Sequence, residues 1–96
     1  MADLRLNARI KTSTVECGAT AKALPTTPLN SQTSRILYND GSFTVFLGNQ
    51  DVEASGTNKG IPLDTGKERT FGCSDKFLIY GITAGSAVNV IIGEAY

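Results

Sequence analysis

The chain has 96 residues, room for one domain with a modest core, and its nine Lys and Arg balance nine Asp and Glu. That balance argues against binding nucleic acid or an anionic membrane by bulk charge, and no run of about 18 apolar residues marks a transmembrane helix. Histidine is absent, which excludes Ser-His-Asp and Cys-His arrangements and the commonest general base.

Met1-Ala2-Asp3-Leu4 lacks the basic start and apolar block of a signal peptide, so the expectation is assembly in a cytoplasm. From Leu4 to Lys11 the pattern alternates with period two, which predicts a half-buried strand. Leu4, Leu6, Ala8 and Ile10 share one face and are expected to complete a sheet, either the chain's own or a neighbour's. Arg5, Asn7, Arg9 and Lys11 share the other. Two readings of its cations stand. They belong to a solvated edge strand that discourages edge-to-edge pairing, or they form a strip that docks on an acidic partner. Residues 1–11 are therefore a candidate interface arm within a single domain spanning 1–96.

Thr12–Val15 continues extended and Cys17-Gly18 can turn the chain. Ala19–Leu24 is too short for a stable helix and reads as strand or coil. Pro25 and Pro28 impose an extended connection. Ser34–Tyr38 and Phe43–Leu47 then read as two strands joined by Asn39-Asp40-Gly41-Ser42. An Asp-Gly turn between apolar and β-branched runs predicts a hairpin. Phe43, Val45 and Leu47 share a face, which leaves Phe46 on the other. It marks an interface, or the strand is buried on both sides. Ser55–Lys59 is a loop able to reach a neighbour. Strands are further expected at Arg69–Phe71, Phe77–Ile82 and Ala87–Ile92, with one of Ile91 and Ile92 pointing outward. About seven short strands with closely spaced turns predict an all-β fold, a single small β-sandwich or jelly-roll-like barrel.

The inventory for chemistry is thin. Cys17 and Cys73 read as free thiols in a reducing compartment, with a disulfide the alternative in an extracellular particle. Asp40, Asp51, Glu53, Asp64 and Asp75 fall at turns or strand ends without calcium-loop spacing, and turn formation accounts for the Asp residues. Gly56-Thr57-Asn58-Lys59-Gly60 lacks the spacing of a phosphate loop. No cofactor, metal or catalytic residue is assigned.

One ordered pattern carries more. Leu24-Pro25, Leu29, Arg35-Ile36, Asn39, Gly41, Val45, Leu47-Gly48, Asp51-Val52, Gly60-Ile61-Pro62-Leu63 and Gly66 occur in a sequence and spacing that resembles small virion proteins of tailed bacteriophages. An aliphatic-aromatic strand at Phe77–Tyr80, a small-residue turn at Ala84–Ser86 and a valine-rich last strand at Val88–Ile92 match the ending of such modules. The resemblance covers about three quarters of the chain. It implies a non-enzymatic structural protein of the virion, assembled in the bacterial cytoplasm, that decorates or cements a capsid. Expected partners are the major capsid protein and further copies of the chain in a homo-oligomer such as a trimer, with neither nucleic acid nor membrane. The residues expected at the interface are Leu4, Arg5, Leu6, Arg9, Lys11, Phe46 and Tyr96. A receptor- or glycan-binding module of a head fibre or tail is the alternative.

Overall fold

The structure, a computed structural model, describes residues 9–29, 32–72 and 78–96. Eight strands occur in chain order: β1 (Ile10–Cys17), β2 (Lys22–Ala23), β3 (Ser34–Asn39), β4 (Val45–Gly48), β5 (Ile61–Leu63), β6 (Glu68–Gly72), β7 (Tyr80–Ile82) and β8 (Val88–Ala95). They form two antiparallel four-stranded sheets, ordered β1-β8-β3-β6 and β2-β7-β4-β5. The pairs 1–8, 2–7, 3–6 and 4–5 are those of one long hairpin, and the contacts 8–3 and 7–4 roll that hairpin up. This is the jelly-roll arrangement, and it confirms the all-β expectation.

Alternation makes the core. Val88, Val90 and Ile92 of β8 point inward while Ile91 is only half buried, and Leu37 of β3, Val45 and Leu47 of β4 and Leu63 of β5 meet them. Val15, Cys17, Leu24 and Ile79 complete the cluster.

The sequence misplaces one connection. Ser34–Tyr38 does form a strand, but it does not pair with the strand after Gly41. β3 pairs with β6 and β8, and β4 with β5 and β7. Asn39–Ser42 is thus a corner that carries the chain from one sheet to the other, and the second strand begins at Val45 rather than Phe43. A type I′ hairpin needs positive φ at both central residues, and Gly41 is not among the positive-φ glycines. Asn39 holds the corner. Its buried amide donates to the carbonyls of Phe43 and Leu63, both at 2.8 Å, and its Oδ1 accepts from the Gly41 N–H at 2.9 Å. Gly41 is required by close approach: a Cβ there would lie 2.7 Å from Val88 Cγ1.

Two further expectations change, and one falls outside the described residues. Residues 1–8 lie outside the described residues, so the arm's Leu4, Arg5, Leu6 and Ala8 are not placed. Ile10 does not face the core. Val15 and Cys17 set the inward parity of β1, which puts Ile10 on the outer face, 63% exposed, and Lys11 on the inward side beyond the core's end. The loop at 55–59 is no free arm. Glu53 N–H bonds to Asn58 O, Lys59 N–H to Gly56 O, and Gly60 N–H to Glu53 O. Gly60 in turn packs so close to β4 that a Cβ would fall 2.6 Å from the Leu47 carbonyl oxygen.

Candidate interaction surface

The register across the first sheet locates one pole of the molecule. One row reads Ile10, Ala95, Ser34, Gly72, and the next reads Lys11, Glu94, Arg35, Phe71. Beyond them Arg9 and Tyr96 exchange both backbone hydrogen bonds, at 3.0 and 2.8 Å. Phe71 also lines a groove of about 180 Å³ with Leu47, Ile61, Leu78 and Ile79, where β4 ends and β5 begins. Ile61 and Leu78 are each 52% exposed, Tyr96 49% and Ile10 63%. Among the described residues these are four of the five large hydrophobic side chains left exposed; Phe43, near the other end beside the Asn39 corner, is the fifth. An apolar concentration at one pole is a feature of contact surfaces.

Beneath this pole lies a buried polar cluster. Arg35 and Glu94 are 0% and 1% exposed and stand opposite each other across β3 and β8. Arg35 donates from Nη1 to the Leu24 carbonyl at 3.2 Å and from Nε to Gln32 Oε1 at 3.4 Å. Glu94 Oε2 accepts the Leu29 N–H at 3.0 Å. The cluster ties the segment between β2 and β3 to the sheet. It carries side chains into the interior only where each finds a partner, as burial demands.

Of the residues expected at an interface, the structure brings Arg9, Lys11 and Tyr96 together at this pole, with Arg9 and Lys11 exposed. Phe46 stands apart on the outer face of the second sheet. It is half buried, with Lys59 Nζ 5.5 Å from its ring centroid, a cation–π contact. Ile61 and Leu78 were missed. Leu78 sits within a run that reads as strand and Ile61 beside Pro62 in a segment given no strand, and only the offset between two sheets shows that both end up uncovered.

Cys17 belongs to no reactive site. Burial raises its thiol to about 11, partly opposed by the charge of Lys22, so it stays protonated and behaves as a small hydrophobe. A shallow hollow of about 220 Å³ beside it is lined by Glu16, Gly18, Lys22, Gly85 and Ala87. Cys73 lies outside the described residues.

No protein-family model matches the chain, and no curated protein does. Among solved structures it is similar to an ethanolamine utilization protein Q from Salmonella typhimurium LT2, at 5% identity and TM-score 0.53. That match covers 98% of this chain but 63% of the other, so the chain spans less than two thirds of that protein's length. A cupin-2 domain protein from Shewanella frigidimarina aligns over 91% of this chain and 69% of its own, at 14% identity and TM-score 0.49. A subunit of Bacillus endospore appendages, disulfide-linked pili, aligns over 93% and 87%, at 16% identity and TM-score 0.49. At these identities the likeness concerns the fold. The class defined is an all-β protein of two antiparallel four-stranded sheets in a jelly-roll arrangement.

Proposed function

We propose that the chain is a structural protein of a tailed-phage virion that binds the capsid surface and decorates or stabilises the shell, and that it performs no catalysis. The observation that carries this reading is the pole at which Ile10, Ile61, Leu78 and Tyr96 are exposed together. Ile61 and Leu78 on the groove, with Ile10 and Tyr96 at the β1–β8 side of the same end, suit contact with another protein, and Arg9 and Lys11 beside the latter pair supply a polar rim. The ordered sequence pattern that resembles phage modules adds support. Its residues build the scaffold: Leu24, Arg35, Asn39, Val45, Leu47, Val52 and Leu63 are all buried. The pattern therefore bears on the frame, and the pole bears on what the frame presents. In this reading the apolar groove anchors the protein on the shell and sets its release, while Arg9 and Lys11 speed encounter.

The test is sedimentation of tailed-phage particles mixed with the purified protein, compared with the protein alone. Co-sedimentation that is lost in an Ile61→Ser, Leu78→Ser double variant supports the reading. A protein that stays in the supernatant, or a double variant that sediments as the parent does, sinks it.

A further inference from the structure

The hydrogen-bond phase of β1 shows which of its backbone groups are free. Arg9 and Tyr96 form a pair that exchanges both bonds, and such pairs alternate along an antiparallel ladder. The register runs unbroken from Ile10 opposite Ala95 to Cys17 opposite Val88. Lys11, Ser13, Val15 and Cys17 therefore direct their N–H and C=O groups at β8. Ile10, Thr12, Thr14 and Glu16 direct theirs outward, because β1 is an edge strand. This edge holds neither proline, glycine nor bulge over eight residues. The edge strand β5, by contrast, has only three residues and carries Pro62. Among the described residues Lys11, at one end of the strand, is the one cation of β1, and the rest of this long, regular edge is a template for pairing with another chain.

We propose that two copies of the chain join through this edge, β1 against β1 in antiparallel orientation, about a two-fold axis at Ser13. A two-fold perpendicular to the sheet keeps outer face with outer face, so facing residues share parity. Centring it at Ser13 sets Ile10 opposite Glu16 of the second copy and Thr12 opposite Thr14. All four outward residues are then used, in four pairs that exchange two bonds each. A register centred on Thr14 would leave Ile10 facing Gly18, outside the strand. The Ser13 centre has a second support. The Ser13 hydroxyl oxygen is shielded from solvent and has no hydrogen-bond partner among the described residues. Across the axis the two Ser13 residues face each other at the non-hydrogen-bonded position, where side chains approach most closely, and a χ1 rotation turns each hydroxyl from its shielded place towards the other.

The product is one continuous sheet of twice four strands. Because the pairing is isologous it closes at two copies and does not by itself generate a trimer. Antiparallel pairing also turns the two apolar poles to opposite ends of the dimer. If the virion reading holds, the dimer is a clamp that spans two shell sites and gains by multivalency. The clamp rests on that reading; the pairing does not.

Light scattering on the full chain over a dilution series, with no particles present, tests the pairing. The expected mass is twice the 10.1 kDa of the chain. Thr14→Pro removes an outward N–H that β8 does not use, and is expected to give a folded monomer with unchanged circular dichroism. Thr12→Lys with Thr14→Lys places like charges opposite each other in two pairs, and should weaken the dimer by roughly tenfold. Thr12→Lys with Thr14→Glu should restore it, since each introduced lysine then faces an introduced glutamate. A monomer at every concentration, an assembly of three or more, a dimer indifferent to Thr14→Pro, or failure of the charge-swapped variant to recover would overturn the proposal. A dimer that does not sediment with particles supports the pairing and removes the virion reading. A monomer that does sediment does the reverse.

Discussion

Arg35 and Glu94 face each other across the centre of the first sheet, with Nη2 4.0 Å from Oε2 and both side chains sealed from solvent. At that distance the carboxylate acts less as a hydrogen-bond acceptor for arginine than as a neighbouring charge. The Leu29 N–H is its hydrogen-bond donor. Each member offsets the other's burial, and each also holds a loop.

Removal of one partner should therefore cost far more than removal of both. Glu94→Leu alone leaves a buried guanidinium uncompensated and is expected to destabilise by about 3–5 kcal/mol. Arg35→Met with Glu94→Leu should recover much of that loss. Urea titration of the three proteins measures it. A double variant as unstable as the single one would show that the loop bonds to Leu24 and Leu29 matter more than the charge.

Asn39→Ala should act on the corner between sheets. It deletes two donated bonds and the bond from Gly41, and leaves the buried Leu63 carbonyl short of a partner. A loss of about 2–4 kcal/mol is expected, from roughly 1–3 kcal/mol for each unsatisfied buried group. Thermal melting reads it. A melting point within about 2 °C of the parent would mean that the turn holds without this side chain.

The buried thiol of Cys17 gives stability a particular pH dependence. Its folded pKa is raised from 9.0 to about 11, so the folded state holds the proton more tightly than the unfolded chain does. The contribution is fully present below pH 9 and is lost as pH rises from 9 towards 11. Comparison of urea midpoints at pH 7 and pH 10.5 for Cys73→Ser and for Cys73→Ser with Cys17→Val isolates it. The thiol-bearing protein should lose more stability over that range. Equal losses would refute the assignment.

Gly60→Ala tests the packing of the 53–60 loop on β4. The added methyl meets the backbone of Leu47 at 2.6–2.8 Å, where no side chain can yield. Destabilisation of about 1–3 kcal/mol is expected, whereas Gly72→Ala, with nothing within 4 Å of the new methyl, should lie within about 0.5 kcal/mol of the parent. Chemical denaturation of the pair decides it.

The strand content was legible because alternation is strong where one face is buried. Val88, Val90 and Ile92 announce both their strand and its inner face. Ser34–Tyr38 was legible for the same reason, even with Arg35 at an inward position. The corner at Asn39 was not. Asp-Gly marks a tight reversal of direction, but whether the next strand pairs with the previous one or crosses to another sheet depends on contacts with Leu63 and Val88, far along the chain. The parity of β1 could have been caught. A face of Leu4, Leu6, Ala8 and Ile10 continues as Thr12, Thr14 and Glu16, whereas Val15 and Cys17 lie on the opposite one. The candidate interaction pole was only partly legible. Arg9, Lys11 and Tyr96 were singled out, but their neighbours Ile61 and Leu78 reach the same place only through the roll of the two sheets.

That roll also governs how the chain must find its structure. The residue separation between paired positions is 18 for Val45 and Leu63 but 85 for Ile10 and Ala95 (63 less 45, and 95 less 10). Loop-closure entropy favours the inner pairing and delays the outer one until nearly everything between them is in place. Folding should accordingly be slow for so small a domain, in the range of milliseconds to seconds, as in other proteins dominated by distant pairings. β1 is then among the last strands to be locked, and its edge stays available to a neighbouring chain throughout.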